Sequence, residues 1–428
     1  MLNTKINHKI LKYNDIREYY QNSCKNDLKY GLEYERVSIC SSTLKSADYD
    51  SIEKIIKSFA QIKGWGLLYD EKTLIGALGE GSSISLEPGC QMELSLKAQE
   101  NLYDIKKYTH EIISLLDRIA KFYNVEFLPY GISPLSTYQN IEIVNKQRYK
   151  IMADYLPTFG KFAPVMMRET AGVQLNIDYK SESDAINKIK MLNIVMPFMT
   201  GFFANSPIRN NKITNYKSFR ALAWKYTGKN RCGIFYDNIS CFEDYINAIL
   251  NVPMLFIERN GEKINISGKI TFGEFMEKGY SGHFATIEDY ILHSSLCFPD
   301  IRLKNCIEIR NHDSQNMQMT LAICAFYKGI LCAQIKELME YFKDISINDI
   351  ENIGFLAAKY GIGFEYKNYK AQEIVKKLFD IAYKNLQDNE KCFLDPALEM
   401  LSNKESPADK IIKLKIKNAC DLIAYLRK

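Results

Sequence analysis

Two windows of the chain repeat apolar residues at helical spacing. Between Tyr49 and Ile62 the side chains of Ile52, Ile55, Ile56 and Phe59 fall on one stripe; between Leu102 and Tyr123 the stripe is Ile105, Tyr108, Ile112, Leu115, Leu116 and Ile119. From about Gln318 onward the chain reads as several helices joined by polar connections around Glu351, Lys367 and Asp388. Elsewhere the pattern has period two, as a strand with one buried face requires. Five segments show it: Tyr30–Glu35, Ser83–Glu87, Gln91–Ser95, Val173–Asp178 and Ile307–Arg310. With no internal repeat or low-complexity stretch, residues 1–428 are expected to form one domain, of which about 318–428 is a helical C-terminal portion.

The polar faces of these five strands carry the chemistry. Leu32 and Tyr34 oppose Glu33 and Glu35, Ile84 and Leu86 oppose Ser85 and Glu87, and Met92 and Leu94 oppose Gln91, Glu93 and Ser95. Further on, aliphatic residues oppose Gln174, Asn176 and Asp178, and two isoleucines oppose Glu308 and Arg310. Alternation usually means a sheet with its polar face in water. Glutamate is a poor strand former, however, and clustered carboxylates repel unless a cation lies among them. A metal site is therefore expected, and oxygen ligands without a histidine or cysteine cluster favour magnesium or manganese over zinc or copper. Magnesium held by a few carboxylates commonly also binds substrate phosphates, which implies a nucleotide. Arg220, Arg231 and Arg310 could hold anions bidentately, and Arg310 shares its strand face with Glu308. The run Gly76–Ser83 could approach phosphates, but it matches neither the P-loop nor the dinucleotide fingerprint, and a turn is the commoner meaning of such a run.

Composition narrows the classes. A hydrophobic share of 46% and a charged share of 25% fit a soluble globular chain. A net charge of +5 over 428 residues, with no basic run interleaved with aromatics, gives no case for nucleic acid. The longest apolar stretch, Ile194–Ala204, is too short to span a bilayer. The 11 cysteines form no CxxC pair and lie in part in apolar runs, so a reducing cytoplasm is expected; Met1–His8 has no apolar signal core. The five histidines, His8, His110, His283, His293 and His312, suggest no hydrolytic triad.

In order along the chain, Gly31-Leu32-Glu33-Tyr34-Glu35, Ser83–Ser95, Met166-Met167 with Thr170, Val173–Asn176, Phe203–Pro207, Arg220…Trp224…Arg231-Cys232-Gly233, and Arg302–Lys304 with Glu308–Arg310 and Asp313 form a connected set. This set resembles glutamate–cysteine ligase of the plant and proteobacterial type. The resemblance implies an α+β fold in which a glutamine-synthetase-like curved antiparallel β-sheet forms the active site, flanked by helices. It also implies an ATP- and Mg-dependent ligase that makes γ-glutamylcysteine through a γ-glutamyl phosphate, the first step of glutathione synthesis. Carried over residue by residue, Glu33, Glu35, Glu93 and Glu308 are expected to be metal ligands, and Arg310, Glu35 and Glu93 catalytic. Asn176, Gln174, Glu87 and Arg310 are expected to bind nucleotide; Arg220, Arg231, Trp224 and Thr170 are expected to bind substrate. The partners are then small molecules, with no nucleic acid or membrane, and the protein is a monomer or homodimer.

The chain departs from the family pattern at Cys90, Glu169, Leu222, Tyr226, Gly228 and Asn230, near the substrate-facing segments. Two further readings stand beside the first on the sequence alone: a γ-glutamyl ligase with a different amine acceptor, and a non-catalytic nucleotide-binding relative.

Overall fold

The computed structural model describes residues 10–234, 239–333 and 335–427, so the N-terminal reading on Met1–His8 falls outside the described residues. Nine strands form the main sheet: Tyr30–Cys40 (β1), Gly66–Asp70 (β2), Thr73–Gly79 (β3), Ser82–Leu86 (β4), Met92–Ser95 (β5), Val125–Leu128 (β6), Gly172–Ile177 (β7), Ile301–Leu303 (β8) and Ile307–Asp313 (β9). Their spatial order is β8-β9-β7-β1-β5-β4-β3-β2, with β6 paired to the far half of β1, and every pair is antiparallel. All five segments expected to be strands are in this sheet.

Register explains why they matter together. Residues directly opposite in an antiparallel pair share a face. One row across the sheet runs Arg302–Glu308–Asn176–Gly31. The next runs Gln174–Glu33–Ser95–Ser83, and the third begins Glu35–Glu93–Ser85–Gly76. The polar residues of five strands thus meet on one surface, while Leu32, Tyr34, Ile84, Leu86, Met92, Leu94, Leu175 and Ile309 lie buried on the other.

The helices expected from periodicity are Tyr49–Lys63 (α1) and Leu102–Phe122 (α2), each opened by a side-chain cap, from Asp48 and Asn101. Gln147–Tyr155 (α3), Glu182–Phe202 (α4) and Phe219–Lys225 (α5) follow, and then Met317–Leu331 (α6) and Ile347–Tyr360 (α7) in the mainly helical C-terminal third. Helix α4 had no apolar stripe to reveal it, because its residues from Lys188 to Phe202 are buried on almost every side. These helices and the apolar face of the sheet contribute to one continuous hydrophobic core.

One sequence expectation is corrected here, and two others take structural form. Glu351 lies inside α7 and not in a connection, because Ser346 and Asp349 form a capping box that starts the helix before it. The Gly76–Ser83 run is a hairpin and not a phosphate loop. Gly79 pairs with Ser82, and Glu80 and Gly81 both take positive φ, 56° and 77°, as a two-residue turn of the primed type needs. Cys90, at the tight turn after Pro88, has φ of 62°, the conformation a glycine would adopt most easily. Among the described residues, no helix is long and apolar enough to cross a membrane.

Candidate active site

The polar rows of the sheet open into a cavity of about 310 Å³ whose lining includes Glu33, Glu35, Glu87, Glu93, Thr170, Gln174, Trp224, Glu308 and Arg310. One side is acidic. Glu35 and Glu93 stand directly opposite each other on β1 and β5, an arrangement that destabilises two charged carboxylates unless something offsets it. Burial, and next the charge of Glu87, push the Glu35 carboxyl up to about 7. Burial pushes Glu93 well above the usual carboxylate range, with Glu33, Glu87 and Glu35 adding to it. Glu87 is raised by burial as well. Glu93 accepts from Ser85 and Ser95, both at 3.1 Å, and neither contact supplies positive charge.

The other side is basic. Glu308 is fully buried and ion-paired with Arg302 at 2.7 Å, Lys304 at 2.6 Å and Arg310 at 2.7 Å. Burial alone would raise its carboxyl, but Arg302, Arg310 and Lys304 together hold it well below the usual range. Lys146 and Arg148, at the start of α3, complete this wall. The two sides are joined by a relay: Gln174 donates to Glu35 at 2.7 Å and accepts from Arg310 at 2.8 Å. Asn176 donates to Glu33 at 2.7 Å and accepts from the Cys306 thiol.

Glycine and amide chemistry fix the geometry around Glu35. The Gly172 amide donates to Glu35 at 2.6 Å, and a Cβ on Gly172 would lie 2.3 Å from Nη2 of Arg220. Gln91, expected on the polar face, lines the cavity and is also a tie: it accepts from the Gly89 amide at 2.8 Å and donates to the Thr170 carbonyl at 2.8 Å. Thr170 is thereby held at the cavity wall, its own hydroxyl donating to Met166.

Two expected residues are placed differently. Arg231 is 1% exposed and spends its guanidinium on the carbonyls of Leu296 and Pro253, at 3.0 and 2.8 Å. With these contacts it braces two loops, and the lining of neither cavity described here includes it. Glu308, expected among the metal ligands, is neutralised here by three cations. Arg220 is also 1% exposed; Nη2 donates to the Arg310 carbonyl at 2.9 Å, and it lines a second cavity that shares Trp224 with the first. Sequence reasoning missed Lys146, Arg148 and the roles of Arg302 and Lys304. The last two lay in a recognised motif, where Arg302 stands cross-strand from Glu308 and Lys304 lies four residues before it; Lys146 and Arg148 precede and open a short helix with no such mark.

The departures from the family pattern also find partners. Glu169 is fully buried in a bidentate pair with Arg209, at 2.5 and 2.7 Å, and accepts from the Tyr138 amide. Tyr226 lines the second cavity.

The chain is similar to chloroplastic glutamate–cysteine ligase of Nicotiana tabacum, 29% identical over 94% of this chain and 79% of that one. It is likewise similar to glutamate–cysteine ligase B of Oryza sativa subsp. japonica, chloroplastic, 28% identical over 94% of this chain and 83% of the other. Among solved structures its fold resembles glutamate–cysteine ligase of Francisella tularensis in complex with AMP, with a TM-score of 0.56 at 12% identity, covering 91% of this chain and 85% of that one. The α+β, antiparallel-sheet architecture expected from the motifs is therefore the one observed. The expected cytoplasmic location is not upheld, because these plant relatives are chloroplastic proteins. A family model described as glutamate-cysteine ligase family 2 matches residues 29–416, and the chain belongs to that family.

Proposed function

We propose that this chain is an ATP-dependent ligase that joins the γ-carboxylate of glutamate to the amine of cysteine, and that the 310 Å³ cavity is where it does so. The γ-carboxylate takes the terminal phosphoryl group of ATP, and the amine then displaces phosphate, giving γ-glutamylcysteine, ADP and inorganic phosphate. The observation that carries this reading is the split cavity: surplus carboxylates on one wall, five basic side chains on the other, and Gln174 hydrogen-bonded to both.

The acidic wall suits a divalent cation by charge and by donor type, since Glu33, Glu35, Glu87 and Glu93 are oxygen donors gathered on one cavity, with Lys304 3.7 Å from Glu33. Among the described residues no three histidine, cysteine, aspartate or glutamate side chains already close around one point, so these side chains would have to draw together to bind it. We assign Glu33, Glu35 and Glu93 to magnesium, which when bound neutralises phosphate charge. Glu87 and Asn176 flank the place for the nucleotide.

The chain's own residues supply the rest. Arg310, whose Nη1 donates to both Gln174 and Glu308, presents a planar donor set suited to the transferring phosphoryl group. Glu308 aims Arg302, Lys304 and Arg310 into the cavity by pairing with all three. Thr170 and Trp224 wall the place for the amino acids. The assay is ADP release with ATP, magnesium and glutamate across cysteine, 2-aminobutyrate and other amines, with the product identified by mass. Cysteine is expected to give the highest kcat/KM. Aspartate replacing glutamate as donor, or no γ-glutamyl product with any amine, overturns the reading.

A further inference from the structure

Two short helices supply part of the catalytic cavity away from its acidic wall. Ala163–Glu169 brings Met166 and Met167 to the lining and is followed by Thr170, while α5 brings Trp224. The two segments are joined at two places. At one, a Cβ on Gly160 would lie 2.0 Å from the Thr227 carbonyl oxygen, and the Phe162 amide donates to the Tyr226 carbonyl at 3.3 Å. Phe162 also sets its ring edge-on to Phe219 and to Tyr226, with centroids 5.7 and 6.1 Å apart. At the other, the link comes from outside both helices. Arg209, in the small hairpin of Ile208–Arg209 and Lys212–Ile213, grips the Glu169 carboxylate through Nε and Nη2 at 2.5 and 2.7 Å. The same guanidinium lies over the ring of Phe219, the first residue of α5, 5.0 Å from its centroid.

Glu169 is fixed from further sides as well. Its Oε1 accepts from the Tyr138 amide at 2.8 Å, and its carbonyl accepts from the Ser133 amide at 2.7 Å. Neither Glu169 nor Arg209 lines either cavity, so any effect on the reaction must pass through the residues they hold. A buried ion pair adds little stability over apolar residues of the same volume, although removing one partner is costly. What a bidentate fork does supply is geometry, since it fixes both distance and angle. Glu169 is a position at which the chain departs from the family pattern, and Tyr226, at the other junction, is a second. We propose that the Glu169–Arg209 pair is a positioning device for the amino-acid side of the reaction. Through the fork on Glu169 and the face of Phe219, it sets how far Met167 and Thr170 stand from Trp224. This role rests on the ligase reading, and a misplacement of about 1 Å in such a wall can cost about 100-fold in rate.

The test uses the full chain with Glu169→Gln, Arg209→Met, the two combined, and Arg209→Lys. Thermal unfolding is measured beside steady-state kinetics run well below the lowest melting temperature. Each of the first two variants is expected to lower kcat/KM for glutamate and cysteine about tenfold or more, with KM for ATP within about twofold of the parent. The combination is expected to cost no more than the worse single change, as for two groups that act as a unit. Arg209→Lys keeps the charge without the fork, so it should recover the melting temperature lost in Arg209→Met but not the kcat/KM. The Arg209 side chain is 18% exposed, so its variants carry the test should Glu169→Gln fail to fold. Folded variants with lowered melting temperatures and parental kinetic constants would make the pair merely structural. A KM for ATP that rises as much as those for the amino acids would mean general distortion. Either result overturns this proposal alone, whereas a parent protein that forms no γ-glutamylcysteine overturns the ligase reading beneath it.

Discussion

Arg310 and Arg231 separate two uses of the same side chain. Arg310 reaches Gln174 at 2.8 Å and Glu308 at 2.7 Å on the wall of the cavity, so Arg310→Lys should keep the charge and lose the fork. We expect kcat to fall about 100-fold with a smaller change in KM for glutamate, as for other donors that act mainly on the transition state. A change confined to KM, measured by steady-state kinetics, would mean that Arg310 only binds substrate. Arg231 should respond in the opposite way. Since it holds the carbonyls of Leu296 and Pro253, Arg231→Lys should cost about 1–3 kcal/mol in denaturant unfolding and leave KM for glutamate nearly unchanged. Arg310 was set apart by its strand parity with Glu308, but nothing in the residues around Arg231 could show that two loop carbonyls close over it.

Strand parity was the most legible feature of the elements, and the reason is physical. A period of two leaves no freedom over which face a residue joins, so Glu33, Glu35, Glu93 and Glu308 had to share a surface once their strands paired. Helix α4 was illegible for the opposite reason: buried all round, it has no polar stripe to set its period. The turn between β4 and β5 lies between these cases. The sequence marked Cys90 as a departure, and the structure gives the cost its form, a left-handed backbone at φ of 62° carrying a side chain that is 1% exposed. Replacing it by a branched residue should be severe, while glycine should trade relief of about 1 kcal/mol of backbone strain against lost packing. Thermal unfolding should therefore place Cys90→Gly near the parent and Cys90→Val well below it. Equal melting temperatures for the two variants would contradict the strained turn.

At the scale of the whole molecule the account predicts a link between protons, metal and stability. Glu35 is raised to about 7 in the fold, above its ordinary value near 4.5, so between these pH values the folded state binds more protons than the unfolded one. Stability of the metal-free protein should accordingly fall as pH rises from about 4.5 to 7. Magnesium competes with those protons, so it should raise the melting temperature more at pH 8 than at pH 6. The same shift at both pH values would remove the cation from the acidic wall. The central claim, that this face transfers a phosphoryl group to the γ-carboxylate, is tested most directly by following an atom. With glutamate labelled by oxygen-18 in its γ-carboxylate, ATP and cysteine, mass spectrometry of the inorganic phosphate should find one labelled oxygen for each γ-glutamylcysteine formed. Unlabelled phosphate, or AMP and pyrophosphate in place of ADP and phosphate, would contradict the account.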